Sequence, residues 1–219
     1  MAATRPDGGR PLLESGLEAL GQPLPPEAVD RLVAYLDELE RWSGSYNLVS
    51  YDSRRELVVR HLLDALAVRP WTGEGPLLDV GSGAGLPGIP LAIADPGRPV
   101  TVLDANGKKV RFLRHARRVL MLDNLAPVQA RVEDYAPPAP FACIVSRAFA
   151  DLAQFARLAA HLLAPGGRLV AMKGKRPDEE IAGLPEGVRV EAVAPLRVPY
   201  LHAERHVVIM SAPPRATAG

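Results

Sequence analysis

Apolar residues follow two different periods along the chain, and the change of period divides it into two parts. Residues from about 11 to 69 carry apolar side chains at helical spacing. One such series is Val29, Leu32, Leu36 and Leu39. Beyond this region, short apolar runs alternate with helical stretches. The pattern predicts an N-terminal helical extension over residues 1–75, a second domain over residues 76–212 and a flexible tail over residues 213–219.

The second part has the order of elements that is typical of a parallel sheet. The first apolar run is LLDV and the last is RHVVIMSA, and helical stretches separate most of the runs between them. One of these predicted helices covers residues 152–163 and should end at the Pro165-Gly166-Gly167 run. Strands that alternate with helices favour a sheet covered on both faces. Right-handed crossovers place the loops after the strands along one edge, where ligands bind. We predict a Rossmann-like α/β fold with a seven-stranded, mainly parallel sheet.

Composition limits the classes of function. The 219 residues are 47% hydrophobic and 23% charged, with a formal net charge of +1. Any affinity for RNA must therefore come from local clusters of Lys and Arg. The single cysteine, Cys143, lies in an apolar run, where a small buried residue is expected, and it excludes a disulfide within the chain. Without a signal peptide or an apolar run of membrane-spanning length, we expect a cytoplasmic protein.

A glycine-rich loop after the first predicted strand is the strongest chemical signal. Gly81, Gly83 and Gly85 occupy alternate positions, where they allow a tight turn and the close approach of a ligand. The third glycine comes one residue earlier than the dinucleotide fingerprint requires. Asp79, at the end of the strand, suits a cationic sulfonium better than a phosphate. Both details favour S-adenosylmethionine over NAD.

Three further positions follow the next strands. Asp104, 25 residues beyond Asp79, can accept hydrogen bonds from a ribose diol of either cofactor. Glu133 follows the third strand, where it could reach an adenine edge. Arg147 follows the fourth strand and faces the expected position of the transferred group, where it suits an electron-rich acceptor near phosphates. A Pro-Pro-aromatic loop is absent there and Cys143 lies inside the strand, which disfavours methylation of exocyclic amines and of pyrimidine C5.

Positive charge is concentrated in one predicted helix and after the fifth strand. The helix carries Lys108, Lys109, Arg111, Arg114, Arg117 and Arg118, and Lys173 and Lys175 lie on the same expected edge of the sheet. Because few acidic residues balance these charges, contact with RNA phosphates is plausible. His61 and Asp64 share a helical face, but two ligands without a third do not make a metal site, so we expect no metal.

Several motifs together resemble the RsmG (GidB) family. DVGSGAGLPGIPLAI, LDANGKKVRFL, RVEDY, SRAFA and MKG occur in the order of that family, and the resemblance covers roughly residues 25–210. It implies a class I S-adenosylmethionine-dependent methyltransferase fold and methylation of N7 of a guanine, guanine 527, in 16S ribosomal RNA. The partner would be the small ribosomal subunit or its precursor, and the enzyme would be a monomer that needs neither a membrane nor a metal.

The resemblance also implies roles for individual residues. Gly81 and Leu86 would contact the cofactor, Val132 and Glu133 would flank its adenine, and Arg147 would lie beside the point of methyl transfer. N7 of guanine carries a lone pair and no proton at neutral pH, so direct in-line transfer needs no nucleophile or general base. Three alternatives remain: a methyltransferase acting on a small molecule or another RNA, an NAD-dependent oxidoreductase, and an RNA-binding regulator without catalysis.

Overall fold

A single seven-stranded sheet organises the chain. The protein is described here by a computed structural model that covers residues 9–149 and 151–213, so nearly all of the predicted tail lies outside the described residues. The strands are β1 (Leu77–Val80), β2 (Val100–Asp104), β3 (Leu125–Gln129), β4 (Phe141–Ser146), β5 (Leu163–Lys173), β6 (Arg189–Pro195) and β7 (His206–Ser211). Their order in the sheet is β3-β2-β1-β4-β5-β7-β6, with β7 antiparallel to both of its neighbours. This topology confirms the predicted fold class.

Helices precede the sheet and connect its parallel strands. They are α1 (Arg10–Ala19), α2 (Pro26–Tyr46), α3 (Arg54–Glu56), α4 (Asp64–Ala67), α5 (Gly88–Ala94), α6 (Gly107–Val119), α7 (Leu152–Ala159) and α8 (Asp178–Ala182). A π-helical segment, Leu57–Leu63, joins α3 to α4 in one continuous helical stretch. Over residues 9–149 and 151–213, no helix combines the length and the apolar character needed to cross a membrane.

The turn between α7 and β5 differs from the prediction. The α-helix ends at Ala159, and β5 already begins at Leu163, where it pairs with Phe141. The Pro-Gly-Gly run therefore lies inside the strand and does not terminate a helix. A β-carbon at Gly167 would lie 3.0 Å from the carbonyl oxygen of Phe141. It would lie closer still, 2.9 Å, to the carbonyl oxygen of Ala164, so the glycine is required both by the local bend of the strand and by the close approach of β4.

Two apolar cores cover the two faces of the sheet. On one face, the N-terminal helices pack together with α5 and α6, so that Leu36 and Leu62 belong to the same buried cluster as Val102 and Phe112. On the other face, α7 buries Phe155 in a separate cluster. The N-terminal segment therefore shares the core of the sheet domain.

Strand register determines which residues meet at the functional edge. Val80 pairs with Leu103, so the loops after β1 and β2 leave the sheet side by side. Ser146 pairs with Ala171, which places the loop after β4 next to the end of β5. Because β7 runs antiparallel, its first residue, His206, pairs with the last residue of β5. The residues just before β7 therefore reach the same edge.

Candidate active site

The glycine loop after β1 turns sharply at this edge. Gly81, Gly83 and Gly85 have φ values of +68°, +59° and +92°, a region that side chains other than glycine rarely adopt. The backbone N–H of Gly81 donates to the carbonyl oxygen of Leu103 over 2.9 Å. A β-carbon at Gly81 would lie 2.9 Å from that of Ala148 in the loop after β4. The turn therefore brings two loops of the candidate site into contact.

Asp104 fixes this loop from the end of β2. Its Oδ2 accepts a hydrogen bond of 2.9 Å from the backbone N–H of Gly83, and its Oδ1 accepts one of 2.8 Å from Asn106. The Lys109 ammonium lies 4.0 Å from Oδ2. A carboxylate has about four acceptor sites, so further sites remain for the hydroxyls of a ligand. The structure thus places the predicted ribose-binding carboxylate against the glycine loop.

Asp79 is wholly buried and supports the start of α5. Its Oδ2 accepts a hydrogen bond of 2.8 Å from the backbone N–H of Gly88, whereas its Oδ1 has no hydrogen-bond partner among the described residues. Burial raises the pKa of Asp79 to about 7. The carboxylate is therefore not on the open surface of the site, and direct contact with a sulfonium stays a prediction.

The raised pKa makes a prediction about stability. A carboxyl whose pKa is higher in the folded than in the unfolded protein favours folding at low pH, and that contribution is lost as pH rises through about 7. Between pH 5 and pH 8, we expect the free energy of unfolding to fall in the wild type by about 3 kcal/mol more than in Asp79→Asn. Urea denaturation across this range measures the difference.

The exposed Asp123 supplies a control for that measurement. Asp123→Asn should follow the pH profile of the wild type, because its carboxyl is already in water in the folded protein. A profile of Asp79→Asn that runs parallel to the wild type would contradict the proposed cost of ionising Asp79.

Arg147 is held by a carboxylate from the N-terminal helices. Its Nη1 lies 3.2 Å from Oδ2 of Asp64, whose side chain is only 2% exposed. The Nε of Arg205, just before β7, donates to Oδ1 of the same carboxylate over 2.9 Å. One buried carboxylate therefore positions two guanidinium groups at the edge of the sheet.

An open cleft of about 360 Å³ lies beside this pair of arginines. Its walls include His61 and Asp64, as well as Arg147 and Lys173 at the ends of β4 and β5. His61 and Asp64, which share a helical face, thus both contribute to the wall of this cleft. Burial and the charge of Arg147 lower the pKa of His61, which favours its neutral form.

The region predicted to hold adenine follows β3. Val132 and Glu133 begin a short 3₁₀ turn, Val132–Asp134, at the same edge of the sheet as the glycine loop. Val132 is buried, and Glu133 is exposed at 3.6 Å from the Arg131 guanidinium. Leu86, the other predicted contact, is buried next to the glycine loop. An apolar side chain beside an exposed carboxylate could contact the face and the edge of a base, and this role stays a prediction.

The predicted RNA-binding residues differ in their surroundings. Within the described part of the chain, no ion pair involves Lys108, Arg111, Arg114, Arg117, Arg118 or Lys175, and all six are exposed. By contrast, Lys109 lies near Asp104, and the Lys173 ammonium pairs with Glu180 over 2.7 Å with only 10% of its side chain exposed. Lys173 thus links the end of β5 to α8. Contact with RNA by any of the eight predicted residues stays a prediction.

Two side chains at the site escaped the sequence analysis. Tyr35 of α2 is buried, and its hydroxyl donates to the carbonyl oxygen of Ala84 in the glycine loop over 2.6 Å. Burial raises its pKa well above the usual value, so it remains a protonated donor. Arg205 is the other. Tyr35 lies next to Leu36 of the predicted apolar series of α2, but nothing local marked its partner or that of Arg205.

Neither an accessible cysteine nor a cluster of metal ligands is found among the described residues. Cys143 lies wholly buried within β4, as expected, and burial raises the pKa of its thiol to about 12. No group of three His, Cys, Asp or Glu side chains in residues 9–149 and 151–213 is placed to hold a metal ion.

Comparison by sequence finds a family that spans most of the chain. The family described as rRNA small subunit methyltransferase G (GidB) matches residues 28–208. A ribosomal RNA small subunit methyltransferase G of Alkalilimnicola ehrlichii is 48% identical over 203 residues, covering 93% of this chain and 92% of that protein. Its counterpart in Ralstonia nicotianae is 49% identical over 220 residues, covering 96% and 99% of the two chains.

Comparison by structure finds more distant likenesses. The glycopeptide N-methyltransferase MtfA, solved with S-adenosyl-L-homocysteine, matches with a TM-score of 0.60 at 16% identity, covering 70% of this chain and 87% of MtfA. TrmN from Thermus thermophilus matches with a TM-score of 0.52 at 18% identity, covering 71% and 53%. At such identities the likeness establishes the fold, which is that of class I methyltransferases.

Proposed function

The chain belongs to the small-subunit ribosomal RNA methyltransferase G (GidB) family, and from this premise we propose that it transfers a methyl group from S-adenosylmethionine to N7 of a guanine in 16S ribosomal RNA. The finer proposal is that the target is guanine 527. One observation carries the proposal: Asp104 fixes the glycine loop at the same sheet edge where Asp64 holds Arg147.

The residues at this edge fit S-adenosylmethionine. A β-carbon on Gly83 would have only the Lys109 ammonium, at 3.8 Å, and the Gly81 carbonyl oxygen, at 3.9 Å, within reach, so this face of the loop is open to a ligand. Asp104 offers acceptors for a ribose diol, and Val132 and Glu133 stand where an adenine would lie. Oδ1 of Asp79 is a buried acceptor without a partner among the described residues, suited to a bridging water or to an ammonium.

Catalysis by this chain needs alignment rather than acid–base chemistry. When bound, the cofactor supplies an electrophilic methyl group on a sulfonium. N7 of guanine is unprotonated at neutral pH, so the protein has no proton to remove. Its contribution is to hold donor and acceptor in line and to exclude water, which can supply a large part of a rate enhancement. Arg147, held by Asp64, orients the acceptor base or its phosphate.

The wider setting of the enzyme follows from the same proposal. We place the reaction in the cytoplasm, on the small ribosomal subunit or its precursor, with the enzyme acting as a monomer. The exposed cations of α6, together with Lys109, Lys173 and Lys175, are proposed as contacts to RNA phosphates.

A transfer assay with the natural acceptor tests the proposal. The protein is incubated with radiolabelled S-adenosylmethionine and with small subunits, or naked 16S RNA, from a strain that lacks the corresponding methyltransferase. We expect label in 16S RNA at a guanine that becomes cleavable by reduction and aniline. Subunits from the parent strain, already methylated, are the control and should accept little label. Measurable cofactor binding without any label in either RNA would overturn the proposed acceptor.

A further inference from the structure

The lining of the cleft beside Arg147 carries more cations than acids. Four cationic side chains line it, Arg60, Arg147, Lys173 and Arg205, against the single carboxylate of Asp64. His61 also faces it through a ring that burial keeps mainly neutral. Within residues 9–149 and 151–213, the ion pairs of these cations are those with Asp64 itself, of Arg60 with Glu56, and of Lys173 with Glu180. Among the described residues, Asp64 alone thus compensates both Arg147 and Arg205.

The two guanidinium groups are ordered but not fully enclosed. The side chains of Arg147 and Arg205 are 29% and 24% exposed, while the carboxylate between them is 2% exposed. Asp64 therefore binds from the protein side and leaves part of each arginine facing the cleft. Arg60, which also lines the cleft, is 56% exposed, and its Nε lies 3.0 Å from Glu56. Guanidinium N–H donors that are held in fixed orientations around one opening can bind the oxygens of a phosphate.

We propose that this cleft binds an RNA phosphodiester next to the target guanine, with Arg205 and Arg60 as phosphate contacts and Asp64 as the residue that positions Arg205. The proposal rests on the proposed function and deepens it. The cleft borders Arg147, which the proposed function places beside the acceptor base, so a phosphate bound there would be close to the target guanine. Binding at this site fixes the target base, in contrast to the exposed cations of α6, which lack a common cleft with Arg147.

Equilibrium binding of RNA at several salt concentrations tests the cleft directly. The probe is end-labelled, unmethylated 16S ribosomal RNA transcribed in vitro. For Arg205→Ala we expect the dissociation constant to rise about tenfold and the slope of log affinity against log salt to shrink by about 1. Affinity for S-adenosylhomocysteine should remain that of the wild type, because Arg205 does not border the glycine loop.

Arg189→Ala is the matched control. Arg189 carries the same charge and is exposed, but it pairs with Ser211 at the far end of β7, away from the cleft. Its loss should leave both the affinity and the salt slope nearly unchanged. Arg60→Ala is a second test variant that removes a cation from the cleft without weakening the compensation of the buried Asp64, so it decides the matter if Arg205→Ala unfolds.

The outcomes separate this proposal from the one on which it rests. If Arg205→Ala and Arg60→Ala bind RNA with the affinity and salt slope of Arg189→Ala, the cleft is not a phosphate site, even when the wild type methylates the RNA normally. If instead the wild type binds RNA through these arginines but transfers no methyl group to it, the cleft stands and the proposed reaction falls.

Discussion

Arg147→Ala is expected to slow methyl transfer to 16S ribosomal RNA by about 100-fold or more, because displacing a positioning group by about 1 Å can cost this much. The variant should fold, since Asp64 keeps its 2.9 Å hydrogen bond to Arg205 and is not left as an unpaired buried charge. Single-turnover assays with saturating cofactor and RNA isolate the transfer step from binding.

Two further variants refine that experiment. Arg147→Lys keeps the charge but loses the planar pair of donors, so we expect a rate between those of the wild type and the alanine variant. Arg157→Ala removes an exposed arginine of α7 on the other face of the sheet and should leave the rate unchanged. A normal transfer rate for Arg147→Ala would remove Arg147 from the mechanism.

The second large effect is expected at the glycine loop. Alanine at Gly81 must adopt a φ of +68°, which costs roughly 1–2 kcal/mol, and its β-carbon would stand 2.9 Å from that of Ala148. Relief of this contact has to move one of the two loops that form the site. We expect Gly81→Ala to weaken binding of S-adenosylmethionine by about 100-fold or more, since both backbone strain and displacement act on the same turn. Isothermal titration calorimetry measures the affinity.

Gly97→Ala is the control for the change of residue type. A β-carbon added at Gly97 would have no atom within 4 Å, and the backbone there is not left-handed, so an alanine meets neither obstacle. Its cofactor affinity should equal that of the wild type. Unaltered affinity in Gly81→Ala would mean that the loop adapts and that the cofactor does not depend on this turn.

Local patterns were enough to predict much of the sheet and part of the site. The runs LLDV and RHVVIMSA contain β1 and β7, because strands buried on both faces require continuous apolar sequence. Asp104 could be predicted because it ends such a strand, and the parallel topology brings the ends of β1 and β2 together.

Contacts between distant segments could not be predicted in the same way. Asp64 and Arg205 are 141 residues apart, and no periodicity links them. In the sequence, Tyr35 resembles one more apolar position of α2, because its ring packs in the core and only its hydroxyl reaches the glycine loop. Gly167 resembles a helix terminator until the neighbouring strand is seen. In each case the deciding partner comes from another part of the fold.

The hydroxyl of Tyr35 on Ala84 has a consequence for how such proteins can be recombined. A chimera joined at the linker before β1 would take this tyrosine from one parent and the loop that it supports from another. Asp64 would likewise be separated from both of its arginines. The N-terminal helices and the sheet edge should therefore be exchanged together. Substitutions on one side of the junction are expected to constrain those accepted on the other.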